Sequence, residues 1–260
     1  MRKSRVRMGC DSLAFDDVVM LDDCEARGRA FDAVGGAGSL LCGPDIRMEG
    51  PRLVVTIGNG LETALCLPQP DGVHVAATEA GRMNFAPGTA REHEVLVQLA
   101  ASGDYVSYER ILSCPGLSCL YSTLCGLRGE EPSIATPAAI VAAARADSDA
   151  AAVESVDMFC AALGAFVGNL AMVFMARGGV CLSVAALPGI GPLLQRGGFV
   201  ERFLDKGPMR QFLVRVPVRV IEHGQDSRGA ERPSGAREKR REGMMYCDNT
   251  FVANEDRTCS

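Results

Sequence analysis

The chain has 260 residues, of which 47% are hydrophobic and 23% are charged, the usual balance of a soluble globular protein. This length suffices for one large domain or two small ones, and the composition excludes a coiled coil, a collagen-like fibre and a largely disordered chain. The formal net charge is -5 and only 5% of the residues are aromatic, so we expect no nucleic-acid partner.

Two apolar runs near the start of the chain predict buried strands that end in acidic or small residues. Residues 18–21 stop at an Asp-Asp pair, and residues 52–57 stop at Gly-Asn-Gly, residues 58–60. Ligands of open α/β sheets bind at the carboxyl ends of strands. An acid there can accept a proton from a hydroxyl, and glycines there let backbone N–H groups approach a phosphate. A helix-capping acid pair and a plain tight hairpin are equally compatible with these two features.

The next segments alternate between strand and helix patterns. Residues 64–67 and 73–76 predict a hairpin because they are joined by Pro-Gln-Pro-Asp-Gly. Thr136 followed by Pro137 predicts a helix start, and Ser148 or Asp149 predicts another. The remaining predicted elements are helices at 92–101, 107–112, 116–127, 138–146 and about 149–175, a strand at 180–187, a helix after the turn at 188–189, and a β-rich run at 211–221.

Residues 158–176 carry no charge and come close to the length of a membrane span. Gly164 and Gly168 share one helical face and Asn169 is polar, so the segment predicts a buried helix packed closely on a sheet. We therefore expect no membrane partner.

The last segment, from about residue 224 to residue 260, is rich in Arg, Glu, Lys and Gly without apolar periodicity. This composition predicts a mostly disordered, solvated tail. Its basic run, residues 237–241, is diluted by glutamates, which weakens the alternative of a nucleic-acid or lipid contact.

The eleven cysteines are odd in number and form no Cys-x-x-Cys pair, and the three histidines are far apart in sequence. This spacing predicts reduced core thiols and no metal site. The basic start is not followed by an apolar segment of the secretory type. We therefore expect a reducing, cytoplasmic location.

Several motifs, taken in order, resemble the bacterial-type glucokinase family of the sugar kinase/actin-like ATPase superfamily. Residues 108–117 (YERILSCPGL) are similar to the family's Glu-Arg-x-Leu-Ser-Gly-Pro-Gly-Leu, and residues 78–87 (TEAGRMNFAP) to its Glu-Gly-Gly-His-x-x-Phe-Ala-Pro. Residues 167–171 (VGNLA), 178–180 (GGV) and 204–207 (LDKG) resemble three further family segments. The resemblance runs from residue 18 to residue 223, about four-fifths of the chain.

The resemblance implies an α/β protein with the two-domain actin-like ATPase (ribonuclease H-like) fold. It divides the chain into residues 1–32, a remnant of the small α/β domain, residues 33–222, the large α/β domain, and the tail at 223–260. The family's amino-terminal Asp-x-Gly-Gly-Thr-Asn hairpin and its closing helix have no counterpart here. The chain is therefore interpreted as an amino-terminally truncated, divergent member with an incomplete small domain.

The resemblance also implies a reaction, the transfer of the ATP γ-phosphoryl group to the 6-hydroxyl of glucose, with ATP and Mg²⁺ as cofactors and Asp23 as the general base. Glucose is the implied partner, and the formation of a homodimer is left as a possibility. The positions that the resemblance assigns to binding are the substrate contacts Asp22, Glu79, Arg82 and Glu109 and the cofactor contacts Gly58, Asn59, Gly60, Gly178 and Gly179.

Departures from the family pattern keep a second function open. Arg82 stands where the family has His, so it can pair with Glu79 and block the pocket. The Gly-Gly pair that lets adenine pack closely in the family is replaced here by Val184-Ala185. We expect the side chains of these two residues to intrude into the adenine site. The alternatives are a hexose kinase, a catalytically impaired or inactive sugar-binding protein or gene fragment, and an unrelated α/β protein with chance matches.

Overall fold

The computed structural model describes residues 19–20, 38–46, 49–70, 72–103, 105–222, 245–247 and 250–253. Within them the strands are β1 (Val19–Met20), β2 (Ser39–Cys42), β3 (Arg52–Ile57), β4 (Leu61–Gln69), β5 (Gly72–Thr78), β6 (Gly179–Ser183), β7 (Val218–Ile221), β8 (Met245–Cys247) and β9 (Thr250–Ala253). Six of them form one mixed sheet in the order β2-β7-β6-β3-β4-β5, and the others pair in the order β1-β9-β8.

Strand β3 is the centre of the large sheet, and all six of its residues are buried. It runs parallel to β6 and antiparallel to β4, and β6 runs parallel to β7. Leu53 and Val55 point into the main core, whereas Val54 belongs to a smaller cluster that includes Cys66 and Cys181. The apolar run therefore forms a strand that is covered on both faces, as is typical of parallel sheets.

The helices are α1 (Ala90–Leu99), α2 (Cys114–Arg128), α3 (Pro137–Ala146), α4 (Ala150–Val173), α5 (Gly191–Arg196), α6 (Phe199–Leu204) and α7 (Arg210–Leu213), and short 3₁₀ turns lie at Ala80–Arg82, Ala100–Ser102 and Gly207–Met209. The four longest helices begin at N-cap side chains, Thr89, Ser113, Thr136 and Asp149, each of which accepts a hydrogen bond from the N–H three residues ahead. These caps satisfy backbone donors that the first turn leaves free.

Helix α4 is the element of the described chain that is long and apolar enough to cross a membrane. Of its most apolar window, 72% is buried inside the protein. Phe159, Leu163 and Phe166 are completely buried in the main core. The helix is therefore buried, as the sequence predicts for residues 158–176, but its glycine face, Gly164 and Gly168, packs against helix α6 and not against the sheet.

Two predicted elements are wrong, and tertiary contacts explain the first of them. Residues 107–112 form turns instead of a helix, because Ser107 pairs with Asn84 as a β-bridge and the Tyr108 N–H donates to the Met83 carbonyl at 2.9 Å. Residues 211–213 lie in helix α7 instead of a strand, and strand β7 begins only at Val218.

The predicted tail overlaps strands β8 and β9, which the sequence analysis did not predict. The other residues between 223 and 260 lie outside the described residues. Cys42, Cys66, Cys114, Cys119, Cys125, Cys160 and Cys181 are free thiols.

Replacing Asp149 tests the start of helix α4. The Asp149 carboxylate accepts hydrogen bonds from the Ala152 N–H at 2.7 Å and from the Tyr121 hydroxyl at 3.2 Å. Asp149→Ala should therefore lower the free energy of unfolding by about 1 to 2 kcal/mol, the usual cost of a lost N-cap. Urea denaturation followed by circular dichroism measures this, and Asp149→Ser should retain most of the stability because serine also caps helices. An unchanged midpoint for Asp149→Ala would contradict this role.

Candidate active site

A cavity of about 500 Å³ opens at the carboxyl end of strand β3, beside the start of β4 and the end of β5. Three chain segments contribute to it, namely the loop after β3, the turn after β5 and the segment before helix α2. Its lining residues are Asn59, Gly60, Leu61, Glu62, Ala77, Thr78, Glu79, Arg82 and Glu109. The structure thus brings together five of the residues that the sequence singles out, which are separated by up to 50 positions.

Glu109 is held in place from several sides. Its backbone N–H donates to the Gly81 carbonyl at 2.8 Å, and its Oε2 accepts a hydrogen bond from the Leu61 N–H at 3.2 Å. The neighbouring Tyr108 ring is buried and packs against Phe166, with the ring centroids 4.8 Å apart. The carboxylate therefore projects into the cavity from a rigid segment that is anchored on helix α4.

The glycines at this site permit close approach of the three segments. A Cβ at Gly60 would lie 3.0 Å from Glu109 Oε2, and a Cβ at Gly81 would collide with the Leu61 carbonyl oxygen. Gly81 therefore leaves no room for a side chain, whereas a methyl group at Gly60 would only require the Glu109 carboxylate to shift slightly. The Ala-Gly pair at residues 80–81 therefore serves to seat the turn that carries Glu79 and Arg82 on strand β4.

Arg82 forms ion pairs with two of the acidic side chains that line the cavity, Glu79 and Glu109. Its Nη1 lies 3.1 Å from Glu109 Oε1, and its Nε lies 3.5 Å from Glu79 Oε2. The sequence predicts the contact with Glu79, and the structure adds the contact with Glu109. The guanidinium group therefore occupies oxygen atoms of both carboxylates that could otherwise accept hydrogen bonds from a ligand.

The Gly-Asn-Gly loop, residues 58–60, lies at the surface, with Asn59 exposed and the two glycines half-buried. The Gly58 N–H donates to the Gly60 carbonyl at 2.9 Å, and the Gly58 carbonyl accepts from the Cys114 N–H at 2.8 Å. A Cβ at Gly58 would meet no atom within 4 Å. The loop is therefore anchored to the start of helix α2 and leaves open space beside the Cα of Gly58.

Gly178 and Gly179 do not join this site. Gly179 pairs with Arg52 at the beginning of β3, six residues before Gly58, which corresponds to about 20 Å along a strand. A Cβ at Gly178 would lie 2.5 Å from the Gly50 carbonyl oxygen, and Gly179 has a φ of 107°. The turn between helix α4 and strand β6 requires glycine at both positions. This turn lies at the ends of the strands that are farthest from the cavity.

The expected intrusion of Val184 is also not observed. Its side chain is completely buried in the main core, and its N–H donates to the Ile221 carbonyl at 3.1 Å. Ala185 is half-buried beside it. The valine at position 184 therefore fills the core.

Two residues at the same edge of the sheet were not predicted. The Cys114 thiol donates to the Ala186 carbonyl at 3.7 Å, and burial raises the pKa of this thiol. Glu222, which directly follows β7, accepts a hydrogen bond from the Gly191 N–H at 2.8 Å. An acidic residue directly after an apolar strand is a pattern that the sequence shows. In the structure this carboxylate binds the first N–H group of helix α5.

Asp22 and Asp23 lie outside the described residues, so their predicted roles stay predictions. No group of three or more His, Cys, Asp or Glu side chains that could hold a metal ion occurs in the described part of the chain.

The sequence comparisons point to one family. The profile of the glucokinase family matches residues 5–230. A glucokinase-like protein of Xylella fastidiosa (strain 9a5c) is 40% identical over 210 residues, which cover 80% of this chain and 63% of that protein. A glucokinase of Chromobacterium violaceum is 36% identical over 175 residues, which cover 67% of this chain and 50% of that protein. The chain thus spans 50 to 63% of the length of these relatives.

The structure comparisons agree with the sequence comparisons. A glucokinase from an Antarctic psychrotroph superimposes with a TM-score of 0.68 and 25% identity, over 76% of this chain and 62% of that one. A glucokinase of Balamuthia mandrillaris in complex with glucose superimposes with a TM-score of 0.66 and 19% identity, over 76% of this chain and 59% of that one.

These neighbours confirm the predicted α/β fold of the actin-like ATPase type. The family profile covers most of the chain, and the Glu79 and Glu109 motifs converge on one cavity. The chain belongs to the glucokinase family.

Proposed function

We propose that the protein transfers the γ-phosphoryl group of ATP to the 6-hydroxyl of glucose. The observation that carries this proposal is the convergence of Glu79, Glu109 and the loop at Asn59 and Gly60 on one cavity. A sugar held by the two carboxylates would lie directly beside a loop that can receive a phosphate. Donor and acceptor would then be close together, which is the main requirement of phosphoryl transfer.

The two glutamates would bind the sugar through its hydroxyl groups. Carboxylates accept hydrogen bonds from hydroxyls strongly because they are charged. Glu109 is already oriented by the Leu61 N–H, so little conformational entropy is lost when a sugar binds. Glu79 is far more exposed, with 89% of its side chain accessible compared with 26% for Glu109, and it would adapt to the ligand.

ATP would be bound at the carboxyl edge of the sheet. Gly58, Asn59 and Gly60 fit its phosphates because the space above Gly58 is open. In this proposal the adenine ring would lie on the side of the half-buried Ala185. Mg²⁺ bound to the phosphates would neutralise part of their negative charge. Gly178 and Gly179 have no part in this assignment because they lie at the opposite edge.

Asp23 would accept the proton of the 6-hydroxyl, and Asp22 would contact the sugar. Both residues follow β1, and their assignment rests on the position of the acid pair in the family pattern. We place the activity in the cytoplasm, and a homodimer is compatible with it.

One observation favours the second candidate function, a catalytically impaired or inactive member of the family. Arg82 binds both glutamates that a sugar would use. A neutral sugar must displace this cation before it can bind, which lowers its apparent affinity.

The decisive experiment is ATP-dependent phosphorylation of glucose by the purified chain beside Asp23→Ala. We expect measurable activity in the parent chain and a loss of at least about a hundredfold in kcat in the variant, the lower range for a lost general base. Asp45→Ala is the matched control because this exposed aspartate pairs with Arg219 on strand β7. A folded parent chain without activity would refute the kinase proposal and favour the sugar-binding alternative.

A further inference from the structure

The two segments that carry Arg82 and Glu109 are joined by a short antiparallel ladder. Three backbone hydrogen bonds of 2.8 to 2.9 Å connect residues 81–85 with residues 106–109, and Asn84 and Ser107 form a β-bridge between them. Because the segments are bonded at several points, the turn that carries Arg82 and the Glu109 carboxylate are held as one unit.

Tyr108 joins this ladder to helix α4. Its ring is buried and contacts two other aromatic rings of the main core. The Phe85 ring, which belongs to the ladder, lies edge-on with the ring centroids 5.7 Å apart. The Phe166 ring of helix α4 lies on another side, at 4.8 Å. The Tyr108 ring therefore fixes the ladder, and with it the adjacent Glu109, against helix α4.

The hydroxyl group of Tyr108 contributes less than its ring. Ala86 and Asn169, two motif residues that do not line the cavity, lie close to this hydroxyl. The hydroxyl is buried, and burial raises its pKa, but no atom of the described residues meets the geometry of a hydrogen bond with it. Aromatic packing is therefore the interaction by which Tyr108 holds the ladder.

We propose that Tyr108 is a positioning residue for sugar binding, whose ring keeps the Glu109 carboxylate in place without touching the ligand. The inference rests on the proposed function, because it assumes that the cavity receives glucose. Glu109 lines the cavity, whereas Tyr108 does not. A carboxylate that is already held in place loses little conformational entropy when a ligand binds. A looser Glu109 must be ordered by the sugar itself, which weakens binding.

The segment around Glu109 has other anchors that remain when the Tyr108 ring is removed. Val106, Ile111 and Leu112 are all buried in the main core. We therefore expect Tyr108→Leu to fold with reduced stability and to leave Glu109 attached but less firmly oriented. This combination separates the positioning role from the folding of the segment.

The test is calorimetric titration of the full chain with glucose, together with steady-state kinetics. We expect Tyr108→Leu to bind glucose about tenfold more weakly, the effect of one weakened hydrogen bond to a charged group. KM for glucose should rise, whereas KM for ATP should be unchanged, because the Cys114 N–H anchors the Gly58 loop separately. Tyr108→Phe keeps the ring and should bind glucose as the parent chain does. Unchanged affinity in Tyr108→Leu, or lost affinity in Tyr108→Phe, would overturn the proposal.

Tyr121→Leu is the matched control for the loss of a buried tyrosine. Tyr121 lies in the same core and is also almost completely buried. Its hydroxyl bonds to Ser133 and Asp149, neither of which lines the cavity. This variant should lower the midpoint urea concentration and leave the affinity for glucose unchanged. An equal loss of affinity in both leucine variants would show that Tyr108 has only a general structural role.

Phe85→Leu tests the same contact from the other side of the ladder, and it serves if Tyr108→Leu does not fold. Phe85 does not line the cavity, and its replacement removes the edge-on contact with Tyr108. Glucose binding should weaken in the same direction. In the double variant with Tyr108→Leu the two effects should be less than additive, because both variants remove one shared contact. Unchanged glucose affinity in Phe85→Leu would contradict the proposal.

The outcome can be separated from that of the proposed function. A parent chain that binds glucose without phosphorylating it refutes the kinase proposal, and the titrations still decide the role of Tyr108. Glucose binding that is the same in the parent chain and in Tyr108→Leu refutes this inference alone. If a folded parent chain binds no glucose, both the inference and the sugar site are refuted.

Discussion

Gly164→Ala should destabilise the protein by about 3 kcal/mol, the upper range for overpacking of a core. Gly164 lies in the middle of α4, where a Cβ would collide with the carbonyl oxygen of Phe199 at the start of α6. Four residues further along the same face, a Cβ at Gly168 would lie 2.7 Å from the carbonyl oxygen of Phe203. The obstacle is backbone in both cases, so the two helices must move apart to accept a methyl group. Urea denaturation followed by far-ultraviolet circular dichroism measures the change.

The matched control is Gly126→Ala in helix α2. A Cβ at this exposed position would meet no atom within 4 Å, so the substitution should stabilise the protein by about 0.5 to 1 kcal/mol, the difference in helix propensity between glycine and alanine. Opposite signs for the two glycines would establish that α4 and α6 approach closely. A neutral Gly164→Ala would contradict this packing.

Glu92→Ala should cost about 3 to 5 kcal/mol, as expected when one partner of a buried ion pair is removed. The Glu92 side chain is only 3% exposed, and Arg202 is 16% exposed. The carboxylate accepts hydrogen bonds from Arg202 at 2.8 and 3.3 Å and from the Gly88 N–H at 2.5 Å. Without it, the guanidinium group remains largely buried and loses its carboxylate partner. The midpoint temperature of thermal unfolding and the midpoint urea concentration should both fall.

Two further variants test whether burial causes this cost. Glu94→Ala removes a carboxylate of the same helix that is 54% exposed and pairs with Arg91, and should change stability by no more than about 1 kcal/mol. The double variant Glu92→Leu/Arg202→Leu should recover most of the loss, since two apolar side chains can replace a buried pair. A double variant as unstable as Glu92→Ala would show that the hydrogen bond to Gly88 dominates.

The candidate site illustrates how far motif reasoning reaches. The resemblance to the family implies that Glu79, Arg82 and Glu109 share a sugar site, and the structure brings these residues to one cavity. The same reasoning groups Gly178 and Gly179 with Gly58, although the parallel register of β3 and β6 puts them at opposite edges of the sheet. A glycine pair that ends a helix and a glycine pair that binds phosphate have the same composition, so the sequence does not separate them.

The error at residues 107–112 has a related cause. The segment has a helical pattern, but the Tyr108 and Glu109 N–H groups bind the carbonyls of Met83 and Gly81. Hydrogen bonds to a segment 25 or more residues away replace those of a local helix. The sequence contains no periodicity that reports such partners.

The sequence by itself determined the elements whose causes are local. The Thr136 and Asp149 caps, the buried strand at residues 52–57 and the core helix α4 follow from side chains within a few positions of one another. The tertiary structure alone decided that Arg82 bridges two glutamates and that Val184 points into the core. These features depend on strand register and on the approach of distant segments. They arise only when the whole sheet and its helices pack together, because the free energy of packing overrides local preference.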